Sequence, residues 1–258
     1  MPLSLVGSEM CIRDRYQDFW EGRKYNVSKN SEFANQSFVV LPTENIGRLN
    51  TFAKKLQAQD IEIYLNTKPI QTKSALKQTG DSEENYVIPA GSMIIPNLQP
   101  EAPLIAAILE FDADIIESVL EEERRQTLKN GSSVMYDTTA FNLTMMYGLE
   151  AVTVQENIQG NLKQWESSKV DNTINKNALM WAVNGMDDRS VAFAARLMEL
   201  GVEVRIIDKD SILSDQNLPR GSVVVIEMDN PNVENLSSVV GSVAVSYTHL
   251  RAHETKWH

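Results

Sequence analysis

The feature that most constrains this chain is a weak internal repeat. Residues Ser37 to Thr67 read SFVVLPTENIGRLNTFAKKLQAQDIEIYLNT. A similar run, NALMWAVNGMDDRSVAFAARLMELGVEVRIID, begins at Asn177 and ends at Asp208. Without a gap Arg48 matches Arg189, Phe52 matches Phe193, Leu56 matches Leu197, and Ile61-Glu62-Ile63 matches Val202-Glu203-Val204. Each copy reads as strand, loop, helix, strand. Phe38 to Leu41 is a short run of β-branched and apolar residues. Ile46, Leu49, Phe52, Ala53 and Leu56 recur at helical spacing, as do Val191, Ala194, Leu197 and Met198. Gly201 stands where a helix C-terminus calls for a left-handed residue. Two apolar strands joined through a helix predict a right-handed βαβ unit in a parallel sheet.

After each copy comes a second match. Ala90-Gly91-Ser92-Met93-Ile94-Ile95 resembles Arg220-Gly221-Ser222-Val223-Val224-Val225, and each predicts a turn into a buried strand. Helices are expected next, at Glu101 to Leu109 and Val233 to Val240. Between the copies, Ala113 to Asn130 predicts a helix with Ile116, Leu120 and Leu128 on one face. Its run Glu121-Glu122-Glu123-Arg124-Arg125 reads as a solvated face. Asp137 is expected to cap a helix from Thr138 to Tyr147, followed by a strand at Ala151 to Val154. The fold class expected is α/β: two repeated strand-helix-strand units in a mostly parallel sheet, in an open three-layer arrangement.

The two ends are one nucleotide sequence read in opposite directions. Leu5 to Asp14 can be written CTC GTG GGC TCG GAG ATG TGT ATA AGA GAC. Its reverse complement translates as Val-Ser-Tyr-Thr-His-Leu-Arg-Ala-His-Glu, which is Val245 to Glu254 residue for residue. The string resembles a transposase adapter used in sequencing libraries. Residues 1–15 and 244–258 are therefore expected to be adapter-derived rather than native. The rest divides into a first α/β unit (16–156), a linker (157–176) and a truncated second unit (177–243).

That trimming is chemically selective. Cys11, His249, His253 and His258 are every Cys and His in the chain, and all lie in the end segments. The remainder has no thiol or imidazole for a nucleophile-base pair or for a Cys/His zinc site. It contains neither a Gly-x-Gly-x-x-Gly nor a Gly-x-x-x-x-Gly-Lys phosphate loop. The whole chain has 24 basic and 35 acidic residues, net −11. Without its ends it keeps 20 against 32, net −12. Such a charge disfavours a nucleic-acid partner, and no apolar run is long enough to span a membrane.

Tyr136-Asp137-Thr138-Thr139-Ala140-Phe141-Asn142-Leu143-Thr144, ending at Gly148-Leu149-Glu150-Ala151-Val152, resembles a segment of large bacterial carboxypeptidase A-like zinc metallopeptidases. There the pattern is Tyr-Asp-x-Thr-Ala-Trp-x-Leu-Pro, then Gly-Val and a strand. Phe19-Trp20, the helix Ile46 to Leu56, Asp60 to Tyr64, Tyr86 to Ser92 and Asn97 to Pro103 extend the likeness. Here Phe141 replaces Trp and Thr144 replaces Pro. The resemblance implies a C-terminal region with a class I glutamine amidotransferase-like fold, lying downstream of the catalytic domain. It implies a parent that removes C-terminal residues from peptides, uses zinc and is exported. The family holds zinc with a His-x-x-Glu pair and a later His, and the trimmed chain has no His. No catalytic, cofactor-binding or metal-binding residue is therefore assigned within it. Its expected partner is the peptidase domain upstream in the same chain.

Two other readings follow from the residues. In a small-molecule binding module, Thr43, Glu44 and Asn45 and also Asn184, Gly185 and Asp187 would edge a pocket past their strands. The competing reading makes them ordinary capping loops. In a third reading, Tyr136 and Asp137 would be reacting groups, although an Asp at a helix start is far more often a cap.

Overall fold

The computed structural model describes residues 5–111, 117–133, 142–166, 177–213, 216–247 and 250–253. The chain divides into two compact units. The first contains Met1–Pro42 and Lys54–Trp165, and the second Thr43–Ala53 and Glu166–His258.

The first unit opens with α1 (Leu5–Asn26) and contains a seven-stranded sheet. Its strands are β1 (Ser37–Val40), β2 (Tyr64–Asn66), β4 (Ser74–Lys77), β5 (Ser82–Glu84), β7 (Met93–Pro96), β8 (Ala151–Val154) and β9 (Leu162–Gln164). A separate pair joins β3 (Ile70–Gln71) to β6 (Val87–Ile88). The large sheet runs β5-β4-β8-β1-β7-β2-β9, and every pairing in it is antiparallel. The expected parallel, amidotransferase-like sheet is thereby overturned. The reason is topological. β1 and β2 do run the same way on either side of α2 (Ile46–Gln57), but β7 lies between them and runs against both. A helical crossover that skips one place leaves a slot for a returning strand, and the apolar Met93 to Pro96 fills it.

All four residues of β1 and all four of β8 are buried. A strand buried throughout must be covered on both faces. On one face Val39, Ile94, Val152 and Val154 cluster with Ala75, Ile88 and Ile158. Phe38, Val40, Met93 and Ile95 alternate onto the opposite face and are equally enclosed.

The second unit has β10 (Met180–Val183), α6 (Arg189–Glu199), β11 (Arg205–Ile206), the hairpin β12 (Ser211–Leu213) with β13 (Gln216–Leu218), and β14 (Val223–Ile226). Then come α7 (Leu236–Tyr247) and β15 (Leu250–His253). Its sheet is β11-β14-β10-β15, again antiparallel throughout. Trp181, Val183, Val223 and Val225 form one core with Phe193 and Leu197 of α6 and with Leu236, Val240 and Val243 of α7. Met180, Ala182 and Val224 face the other way, onto Leu218 of the hairpin.

The repeat is therefore present, in a different topology from the expected one. The order β8-β1-β7-β2 in the first unit matches β15-β10-β14-β11 in the second. The ungapped alignment holds from the helix onward, where Phe52 and Phe193 are both buried. At the first strand it slips by two, because Val40 pairs with Met93 as Val183 pairs with Val223.

Several expected boundaries move. Ile61 and Ile63 are buried, but the paired strand starts at Tyr64. Only Arg205–Ile206 of the expected strand Val202 to Ile207 is paired. The helix expected at Val233 starts at Leu236, after Asn235 at φ 53°. In the first unit α3 is Ala102–Leu109. In the expected helix Ala113 to Asn130, α4 covers Glu117–Asn130 and buries nothing; Leu120 and Leu128 are exposed. Three apolar positions at intervals of four and eight are too sparse for a stripe. The helix instead carries surface pairs such as Arg125 on Glu122 and Gln126 on Glu122. Ile116, Tyr136, Asp137 and Phe141 lie outside the described residues. Downstream of them, α5 (Leu143–Met146) is capped by Asn142, whose Oδ1 accepts from the Met145 N–H at 2.9 Å.

Candidate functional site

Four of the six residues expected to edge a pocket meet in the second unit, in one polar cluster. The loop from β10 to α6 spans Asn184 to Asp188, and it faces the segment Thr43–Ala53 of the same unit. Asn184 Nδ2 donates to Glu44 Oε2 at 2.9 Å. Asn45 Oδ1 accepts from the Arg48 N–H at 3.0 Å and from the Asp188 N–H at 3.4 Å. The Gly47 N–H donates to Asp187 Oδ2 at 3.3 Å. Arg48 makes a two-pronged contact with Asp188, Nε and Nη2 each at 2.8 Å. The two remaining residues have local roles. Thr43 Oγ1 accepts from the Asn45 N–H, and the Gly185 N–H donates to Ser222 Oγ at 3.0 Å.

Asp187 is the centre of the cluster and is 5% exposed. Its Oδ1 accepts from the Arg189 N–H at 3.0 Å and from Arg189 Nε at 3.1 Å. Its Oδ2 accepts from Arg189 Nη2 at 2.7 Å and from Gly47. Burial pushes this carboxyl up, but the Arg189 hydrogen bonds and charge, aided by Gly47, outweigh it and hold it below the usual range. Asp188 is held low by the Arg48 guanidinium, against a smaller burial effect. A carboxylate with four donors on its two oxygens is a stabilised anion and a poor proton acceptor. The geometry suits loop locking better than acid-base chemistry.

Two glycines make the approach possible. A Cβ on Gly47 would lie 2.6 Å from Arg189 Nε and 2.6 Å from Asp187 Oδ1. A Cβ on Gly185 would lie 2.4 Å from the Gly221 carbonyl carbon and the Ser222 nitrogen. Sequence reading placed Gly185 at a pocket edge. Its role is to let one turn lie against another.

The first unit holds a cleft of about 330 Å³ that sequence reading missed. Glu62, Tyr64, Pro96, Leu98, Ile158 and Leu162 are among its lining residues. The Tyr64 hydroxyl donates to Glu62, and this bond, with burial, pushes the phenol up to about 12. At neutral pH the phenol is a hydrogen-bond donor, not a nucleophile. The available signal was the alternation Ile61-Glu62-Ile63-Tyr64, which places Glu62 and Tyr64 on one side of an extended segment.

Among the described residues no three His, Cys, Asp or Glu side chains are grouped to hold a metal ion. No helix among them is long and apolar enough to cross a membrane. No known protein family, curated protein or solved structure matches the chain.

Proposed function

We propose that this chain is a non-catalytic region of a bacterial zinc metallocarboxypeptidase, supporting or shaping the domain that carries the reaction. The family assignment rests on the Tyr136 to Val152 motif. The non-catalytic role rests on one geometric observation: Asp187 spends both oxygens on Arg189 and Gly47. The loops expected to edge a pocket are consumed in holding one another. The residues present do not fit a catalytic zinc, since positions 16–243 hold neither His nor Cys.

Incubating the purified chain with zinc and peptides, and measuring release of C-terminal residues, tests this reading. No release above a zinc-free blank is expected. Release that scales with chain concentration overturns it. A second reading, a small-molecule binding module without catalytic activity, is favoured by the cleft at Glu62 and Tyr64. There a carboxylate and a phenol stand beside Leu98, Ile158 and Leu162.

A further inference from the structure

The outer edge of β10 occupies the same place in its sheet as the outer edge of β1. β8 pairs with β1 through Ser37↔Val154, Phe38↔Thr153, Val39↔Val152 and Val40↔Ala151. β15 pairs with β10 through Met180↔His253, Trp181↔Ala252, Ala182↔Arg251 and Val183↔Leu250. Both pairs are antiparallel. The other neighbours, β7 and β14, fix Ser37 as the equivalent of Met180 and Val40 as that of Val183. In equivalent register, then, the first unit uses Ala-Val-Thr-Val and the second uses Leu-Arg-Ala-His. An arginine and a histidine stand where β8 has Val152 and Val154.

The mismatch coincides with the end segment expected to be adapter-derived, and the proposal rests on that reading. Leu250 to His253 falls within the ten residues that a permitted choice of codons makes complementary to Leu5 to Asp14. β10 has all four residues buried, as β1 does. A strand of that kind left at a sheet edge presents unpaired backbone groups beside apolar side chains and is prone to recruit another strand. An extended segment can satisfy such an edge by main-chain pairing alone.

We propose that the outer edge of β10 is built to accept an apolar antiparallel strand of the β8 type, supplied by the same polypeptide, and that Leu250–His253 is a substitute occupant. Backbone pairing accounts for why an unrelated sequence can fill the slot. Side-chain pairing across the strands, which favours β-branched residues, sets the intended occupant.

The test is a four-residue exchange in the full chain: Leu250→Ala, Arg251→Val, Ala252→Thr and His253→Val. A rise in Tm of about 5 °C is expected. An unchanged or lower Tm overturns the proposal. In a second arm the chain ends at Tyr247, and a synthetic peptide of residues 148–155 is added. The peptide is expected to raise the Tm of the shortened chain. A copy N-methylated on the amides that face β10 should not, and one methylated on the opposite amides should. Equal effects of the two methylated peptides overturn the proposal. Where the shortened chain does not fold, the exchange in the full chain decides alone.

Discussion

At the residue scale, the two loop glycines separate close approach from backbone freedom. Gly185 is packed against main chain, which cannot swing aside, whereas Gly47 is packed against side chains, Nε and Cγ of Arg189 and the Asp187 carboxylate. Gly185→Ala is therefore expected to cost about 2–3 kcal/mol through forced displacement of a turn. Gly47→Ala should cost less, because the guanidinium can move at the expense of its ion pair. Urea denaturation of the two variants compares them, and a larger loss from Gly47→Ala would reverse the argument. The sequence flagged both loops but not this distinction. Which atoms face a glycine depends on segments far away along the chain.

At the element scale, the repeat is held by a matched pair of side-chain amides. Gln99 Oε1 accepts from the Glu62 N–H, and its Nε2 donates to the carbonyls of Glu62 and Pro96. Asn230 does the same with the Glu203 N–H and the carbonyls of Glu203 and Ile226. Each amide closes the segment entering one strand onto the end of its neighbour, and each is nearly fully buried. The turns before β7 and β14 match as well. Gly91 and Gly221 have φ of 85° and 89°, and Ser92 and Ser222 donate to the carbonyls of Pro89 and Pro219. Removing either clamp takes the side-chain partner from three part-buried backbone groups. Gln99→Ala and Asn230→Ala are each expected to lower stability by about 2–3 kcal/mol, measured by urea denaturation. A loss below about 0.5 kcal/mol would mean that water replaces the amide at no cost. The helix and strand runs of the repeat were legible because apolar spacing is local. The clamp was not, since Gln99 and Asn230 lie outside the aligned runs and differ by a methylene.

At the scale of the whole molecule, the locked loops are expected to make stability sensitive to acid. Asp187 and Asp188 are held below the usual carboxylate range in the folded chain. Groups with a lowered folded pKa contribute stability above their unfolded value, about pH 4, and lose it as pH falls through the folded one. Tm should therefore fall on acidification below about pH 4. The double variant Asp187→Asn, Asp188→Asn should start lower at pH 7 and show a shallower acid limb. Parallel limbs for the two proteins would place the acid sensitivity elsewhere. The net charge of −11 adds self-repulsion at neutral pH but does not set the slope at these sites.

The sequence alone determined the helical and buried extended runs of the repeat, the existence of two copies, and the limits on chemistry set by residue type. Those follow from local periodicity and from which side chains are present. It also allows the two ends to be written with complementary codons, a relation that no fold can reveal. Only the tertiary structure decided strand direction. β1 and β2 run alike, as a crossover requires, but β7 enters between β1 and β2, and β14 between β10 and β11, which makes each sheet antiparallel. Strand neighbours are chosen by long-range burial and hydrogen bonding. A pattern of apolar residues specifies that a strand is buried, not which strand lies beside it.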